Sequence, residues 1–180
     1  MLVFFLISTG ISCKDQNNQK TKIEDDMSFA GSSKRDNICQ LIDKEDVQSI
    51  FGLSDEISIK QKESKSAVCS YEWTAKSEKI LVYTLMLNFA RGEKRNNSQI
   101  DAVWKGQNTG VYSKHNLQKV SCLGDKASWS DLGGGQLRVA ANGYIFYVSL
   151  GAYPSKNNPL SKEEMIGKTS TLANEVIRNM

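Results

Sequence analysis

Lys79-Ile80-Leu81-Val82-Tyr83-Thr84-Leu85-Met86-Leu87-Asn88-Phe89-Ala90 decides the fold. Leu81, Tyr83, Leu85, Leu87 and Phe89 recur at every second position, with Thr84 and Asn88 between them. That period of two is a strand with one face on a core and the other turned away. Working outward, Ala67 to Thr74 places Cys69, Tyr71 and Trp73 on one face, and Glu56 to Gln61 reads as a further strand. The connection from Ala75 to Glu78 is short enough for a hairpin. Ala127 to Asp131, Gln136 to Ala141 and Tyr144 to Leu150 repeat the pattern, the last two joined by Asn142-Gly143, a type I′ turn signal.

Helices flank these strands. Ile42 to Gly52 carries an N-cap at Asp43, acids at Glu45 and Asp46 for the positive end of the dipole, and a glycine stop. Ser98 is expected to cap a short helix through about Lys105, with Ile100, Val103 and Trp104 inward. Ser161-Lys162-Glu163-Glu164 is a capping box for a terminal amphipathic helix running from Met165 through Leu172 to Ile177. The fold class expected is α+β, one domain, with an antiparallel sheet flanked by an N-terminal and a C-terminal helix.

The chain begins Met1-Leu2-Val3-Phe4-Phe5-Leu6-Ile7-Ser8-Thr9-Gly10-Ile11-Ser12-Cys13, a short apolar run that ends in small residues before a cysteine. It is too short to span a bilayer and has the form of an export signal. Gly10-Ile11-Ser12-Cys13 resembles a loose lipobox, in which cleavage exposes a cysteine that then carries lipid. The segment from Met1 to Cys13 contains no Lys or Arg, although such signals normally open with positive charge. The polar stretch from Lys14 to Asn37 lacks the apolar side chains that would offset ordering entropy, and as a coil it reaches about 25–30 Å. The expected organisation is therefore a signal peptide at 1–12, a lipidated Cys13 with a flexible tether at 13–37, and a single domain at 38–180 in the bacterial cell envelope.

The composition narrows the chemistry. A net charge of +3 with scattered lysines gives no nucleic-acid stripe. With one histidine, His115, multi-histidine metal sites are excluded, and no metal or cofactor is expected. Four cysteines without a C-x-x-C pair argue against a redox motif or a zinc ribbon. With Cys13 lipidated, Cys39 and Cys69 are expected to pair in an oxidising compartment, leaving Cys122 as a buried free thiol. Gly133-Gly134-Gly135 lacks the Gly-Lys-Ser/Thr ending of a phosphate loop and is expected to be a mobile hairpin tip. Asn96-Asn97-Ser98 matches a glycosylation sequon but coincides with the helix start.

Cys39-Gln40-Leu41, the capped helix ending Phe51-Gly52, Cys69-Ser70-Tyr71-Glu72-Trp73, and Leu123-Gly124-Asp125-Lys126-Ala127 together resemble a group of uncharacterised bacterial lipoproteins. The resemblance implies a PsbP-like or sensor-domain-like sheet with a Cys39–Cys69 disulfide. It carries over no catalytic residue, and the group's first glycine of the Gly-x-Gly-Asp turn is Cys122 here.

No catalytic constellation stands out, so the expected activity is non-catalytic: a membrane-tethered module that binds a small ligand or an envelope protein. Trp104, Tyr112, Trp129 and Tyr153 are the candidate binding residues, because they lie in or beside loops where amphipathic rings anchor partners. The alternatives are a secreted envelope hydrolase built on acids such as Asp125 and Asp131, and a structural accessory subunit or inhibitor of an envelope assembly.

Overall fold

A computed structural model describes residues 38–64, 68–75 and 80–180. The export segment, Cys13, the tether and most of the Ala75–Glu78 connection lie outside the described residues. Helices α1 (Lys44–Phe51), α2 (Asn97–Thr109) and α3 (Lys162–Arg178) accompany strands β1 (Lys60–Ser64), β2 (Val68–Ala75), β3 (Leu81–Phe89), β4 (Gln118–Lys119), β5 (Lys126–Ser130), β6 (Gln136–Ala141) and β7 (Tyr144–Tyr153). The expected α+β architecture is what forms. Two antiparallel meanders join at β3 and β7 to give one sheet in the order β1-β2-β3-β7-β6-β5-β4.

The period-two residues build the core on one face. Leu87 of β3, Val148 of β7, Leu137 of β6 and Trp129 of β5 are successive cross-strand partners, and each is at most 1% exposed. Phe89 and Phe146 stack at 5.3 Å, and Trp73 stacks on Tyr83 at 5.3 Å while meeting Phe51 of α1 at 5.0 Å. Helices α1 and α3 close this face. Their stripes contribute Val47, Leu172, Ala173 and Val176, all buried. Lys168 of α3 donates to the Ile50 carbonyl at 3.0 Å, and Asn179 donates to the Leu41 carbonyl at 3.0 Å.

Capping follows the sequence closely. Asp43 and Ser161 each accept from the third helical amide and complete capping boxes, and Gly52 stops α1 with φ +65°. Helix α2 begins earlier and runs further than expected. Asn96, rather than Ser98, is the cap, with Gln99 answering it at 3.0 Å in both directions, and the helix continues through Gly106 to Thr109. Ser98 instead donates to the Asn96 side chain at 2.8 Å. Strand β1 also lies later than Glu56 to Gln61. The Ile57 amide donates back to the Ser54 carbonyl at 2.9 Å and Gln48 holds Asp55 at 2.7 Å, so the chain turns before it pairs.

Cys39 and Cys69 form the expected disulfide, with Cα atoms 5.2 Å apart and a sequence separation of 30. It ties the entry to α1 onto the core side of β2, beside Tyr71, whose hydroxyl donates to the Ile42 carbonyl at 2.5 Å. Cys122 departs from the buried free thiol expected of it. It is exposed at a turn with φ +59°, and its sulfur is not free. Gly135 is packed rather than free at a hairpin tip, since a Cβ there would lie 2.6 Å from Trp129.

Candidate functional site

Among the described residues, the second face of the sheet is only half covered. Helix α2 crosses β5, β6 and β7, laying Ile100, Val103 and Trp104 on Ala140, Ile145 and Tyr147. The strands beneath are buried on both sides, and so their outward residues are not the solvated set that alternation implies. Over the other half, Met86 is 42% exposed and Tyr153, whose cross-strand partner is Val82, is 78% exposed.

Under α2 lies a buried arginine. Lys119, Ser128, Arg138 and Tyr147 are successive cross-strand partners on β4 to β7 and therefore share this face. Arg138 is 1% exposed. Its guanidinium donates to Gln107 at 2.9 Å, to Asn108 at 2.6 Å, to Ser128 at 3.2 and 3.3 Å, and over a long 3.5 Å to the Trp104 carbonyl. The charge stands 3.6 Å from the Trp104 ring centre and 4.6 Å from that of Tyr112. Every acceptor is neutral, and among the described residues no carboxylate pairs with it. Burial pushes the guanidinium pKa below its ordinary value.

Two hydrogen-bond chains flank this arginine. Gln107 passes its amide hydrogen to the Tyr147 hydroxyl at 2.5 Å, so its oxygen must face Arg138. Tyr112 donates to Gln136, which donates to Ser149 at 2.9 Å. Burial pushes the Tyr112 phenol up to about 12, so the ring stays neutral beside the cation.

Arg138 forms the floor of a cleft of about 680 Å³ between the C-terminal half of α2 and the segment from Leu117 to Ser128. That volume lies in the range of small-ligand sites. Trp104, Leu117, Val120 and Leu123 supply apolar wall, and Lys119, Lys126 and Asp125 supply charge. Gly124 makes the turn possible, because it has φ +55° and a Cβ would sit 2.6 Å from the Ala140 carbonyl oxygen.

The four candidate aromatics separate. Trp104 and Tyr112 come together around Arg138. Trp129 is 1% exposed in the core and reaches no surface, while Tyr153 stands exposed at the end of β7. Asp125 and Asp131 flank opposite ends of β5, a separation of about 20 Å at the ordinary strand rise, too far to act on one bond. Asp131 is held by His115 at 2.8 Å and Asn116 at 2.9 Å, and these hydrogen bonds lower its pKa. A histidine oriented by an aspartate is two parts of a nucleophilic triad, but among the described residues no hydroxyl or thiol hydrogen-bonds that ring.

Sequence reading missed Arg138. The available signal was a full charge inside Leu137-Arg138-Val139-Ala140-Ala141, a segment with apolar residues on both faces. No protein-family model, no curated protein and no solved structure matches the chain.

Proposed function

We propose that this chain is a membrane-tethered, non-catalytic module of the bacterial cell envelope that binds a small ligand in the cleft over Arg138. The supporting observation is the cleft itself. Trp104, one of the aromatics expected to bind, lines it and stacks on a buried arginine at its floor, while Tyr112 backs that arginine from within the fold and Gln107 and Asn108 hold it. Preorganised walls of this kind lower the ordering cost of binding.

Tethering rests on the apolar run before Cys13 and on the polar stretch after it. A lipid thioether at Cys13 and a Cys13–Cys122 disulfide would draw on the same sulfur, which makes the reading testable. Cys13→Ser should move the protein from the detergent phase to the aqueous phase and abolish labelling by a palmitate analogue. A Cys13–Cys122 peptide in non-reducing maps, or unchanged partition of the variant, would overturn the anchor.

For the cleft, native mass spectrometry of protein isolated without denaturation should detect a retained small molecule. Trp104→Ala, checked for folding, should lose it. Retention by that variant would place the ligand elsewhere.

A second reading, protein docking, is favoured by the bare half of the sheet, where Met86 and Tyr153 are exposed. Tyr153→Ala would then abolish partner capture while leaving the cleft's ligand in place.

A further inference from the structure

A buried guanidinium ordinarily meets a carboxylate, because a desolvated charge without a counter-ion is costly. At Arg138 the compensation is dipolar only: two amide oxygens, a serine hydroxyl, a helix carbonyl and two ring faces. These contacts consume the guanidinium's donors without cancelling its charge. A field therefore remains at the cleft floor, where low-dielectric walls focus it.

The rim adds to this field. Lys119 shares the face of Arg138 through Ser128, and Lys126 stands on that face opposite Ala140. Lys126 is paired with Asp101, and Asp125 is the remaining acid at the rim. Among the described residues, the lining cations Lys119, Lys126 and Arg138 stand against Asp125 and the Asp101 that pairs with Lys126, which leaves one unit of positive charge around the cleft. The rest of the lining combines polar Asn108, Ser121 and Ser128 with an apolar wall in which Trp104, Leu117, Val120 and Leu123 expose carbon to the same space. A bare, strongly hydrated anion would satisfy the charge and waste those walls; a neutral apolar ligand would do the reverse.

We infer that the cleft takes a small organic anion, its charged group near Lys119 and Arg138 and its apolar body against Trp104, Leu117 and Val120. This rests on the cleft being a ligand site, and it adds the ligand's chemical class. Attraction comes from the field of Arg138 together with hydrogen bonds from the Lys119 ammonium, since the donors of Arg138 are already used.

The test compares three probes on the full-length chain by backbone and indole NMR: benzoate, its neutral isostere benzamide, and inorganic phosphate. Benzoate should shift the amides from Lys119 to Ser128 and the Trp104 indole, with an affinity about tenfold above that of benzamide and above that of phosphate. High salt should narrow the gap between benzoate and benzamide. Lys119→Met, an exposed position that does not disturb the buried network, should weaken benzoate severalfold and leave benzamide unchanged. Equal affinities for benzoate and benzamide would overturn the anion while leaving the cleft a ligand site. Phosphate binding as tightly as benzoate would overturn the apolar body. No shift in the cleft from any probe would overturn both this inference and the ligand-binding reading on which it rests.

Discussion

The two faces of one sheet are built on different principles. Beneath α1 and α3 the strands present Leu87, Trp129, Leu137, Phe146 and Val148 in a dry, close-packed layer, where the favourable free energy comes from apolar area removed from water. Beneath α2 the same strands present Ser128, Gln136, Arg138, Tyr147 and Ser149, and the helix is held by oriented hydrogen bonds and a cation between two rings. The first arrangement tolerates no gap and carries no information for a ligand. The second spends part of its burial on a charge, and next to that charge the helix and the β4–β5 turn leave a cleft. Stability and recognition are thereby separated across a single layer of backbone.

Substitutions should divide along the same line. The largest effect belongs to the dry face: Phe146→Ala should lose about 3–5 kcal/mol in denaturant titration, whereas Met86→Ala on the bare half of the other face should lose about 1 kcal/mol or less. Comparable losses would end the contrast. Opening the Cys39–Cys69 bond, which closes a loop of separation 30, should cost about 3–4 kcal/mol, read as the shift in unfolding midpoint of the double serine variant. Arg138→Ala should cost about 2–4 kcal/mol, since it strands the acceptors of Gln107 and Asn108. Arg138→Lys should rescue little, because an ammonium cannot reproduce the planar fork between two rings; full rescue would reduce the site to a point charge.

Smaller effects sharpen the comparison. Asn96→Ala removes the cap of α2 and should cost about 1 kcal/mol, with hydrogen exchange rising in α2 and hardly at all in α3. The least effect is acid-dependent. The Asp131 pKa is depressed chiefly by its hydrogen bond from His115, so the stability it contributes is present above the ordinary carboxylate pKa of about 4 and is lost as pH falls through the lower folded value. Asp131→Asn should flatten the stability profile in that acid window and leave neutral pH nearly unchanged.

The dry face was legible in the sequence because it follows a local rule. Alternation from Leu81 to Phe89, the caps at Asp43 and Ser161, and the Asn142-Gly143 turn, with φ +52° and +83°, each depend on residues a few positions apart. The α2 face was not legible, because alternation reports only that a residue points away from the first core. Whether it then meets water or a helix depends on where α2 crosses, a long-range fact. Alternation therefore says nothing of the burial of Arg138, Trp129, expected as a binding residue, packs against Gly135 in the core, and Cys122, expected as a buried thiol, lies exposed at a turn. Trp104 and Tyr112 were marked as candidate anchors, but their meeting place on Arg138 needed the register of β5, β6 and β7.

Trp104 tests the separation of fold from recognition most directly, being half-buried, stacked on Arg138 and part of the cleft wall. The decisive measurement is the benzoate affinity of Trp104→Ala per folded molecule, taken beside its unfolding midpoint. Trp104→Ala should lose affinity about tenfold or more with a stability loss of no more than about 2 kcal/mol. Unchanged affinity in the folded variant, with a stability loss as large as that of Phe146→Ala, would contradict that separation and make the α2 face a second structural core.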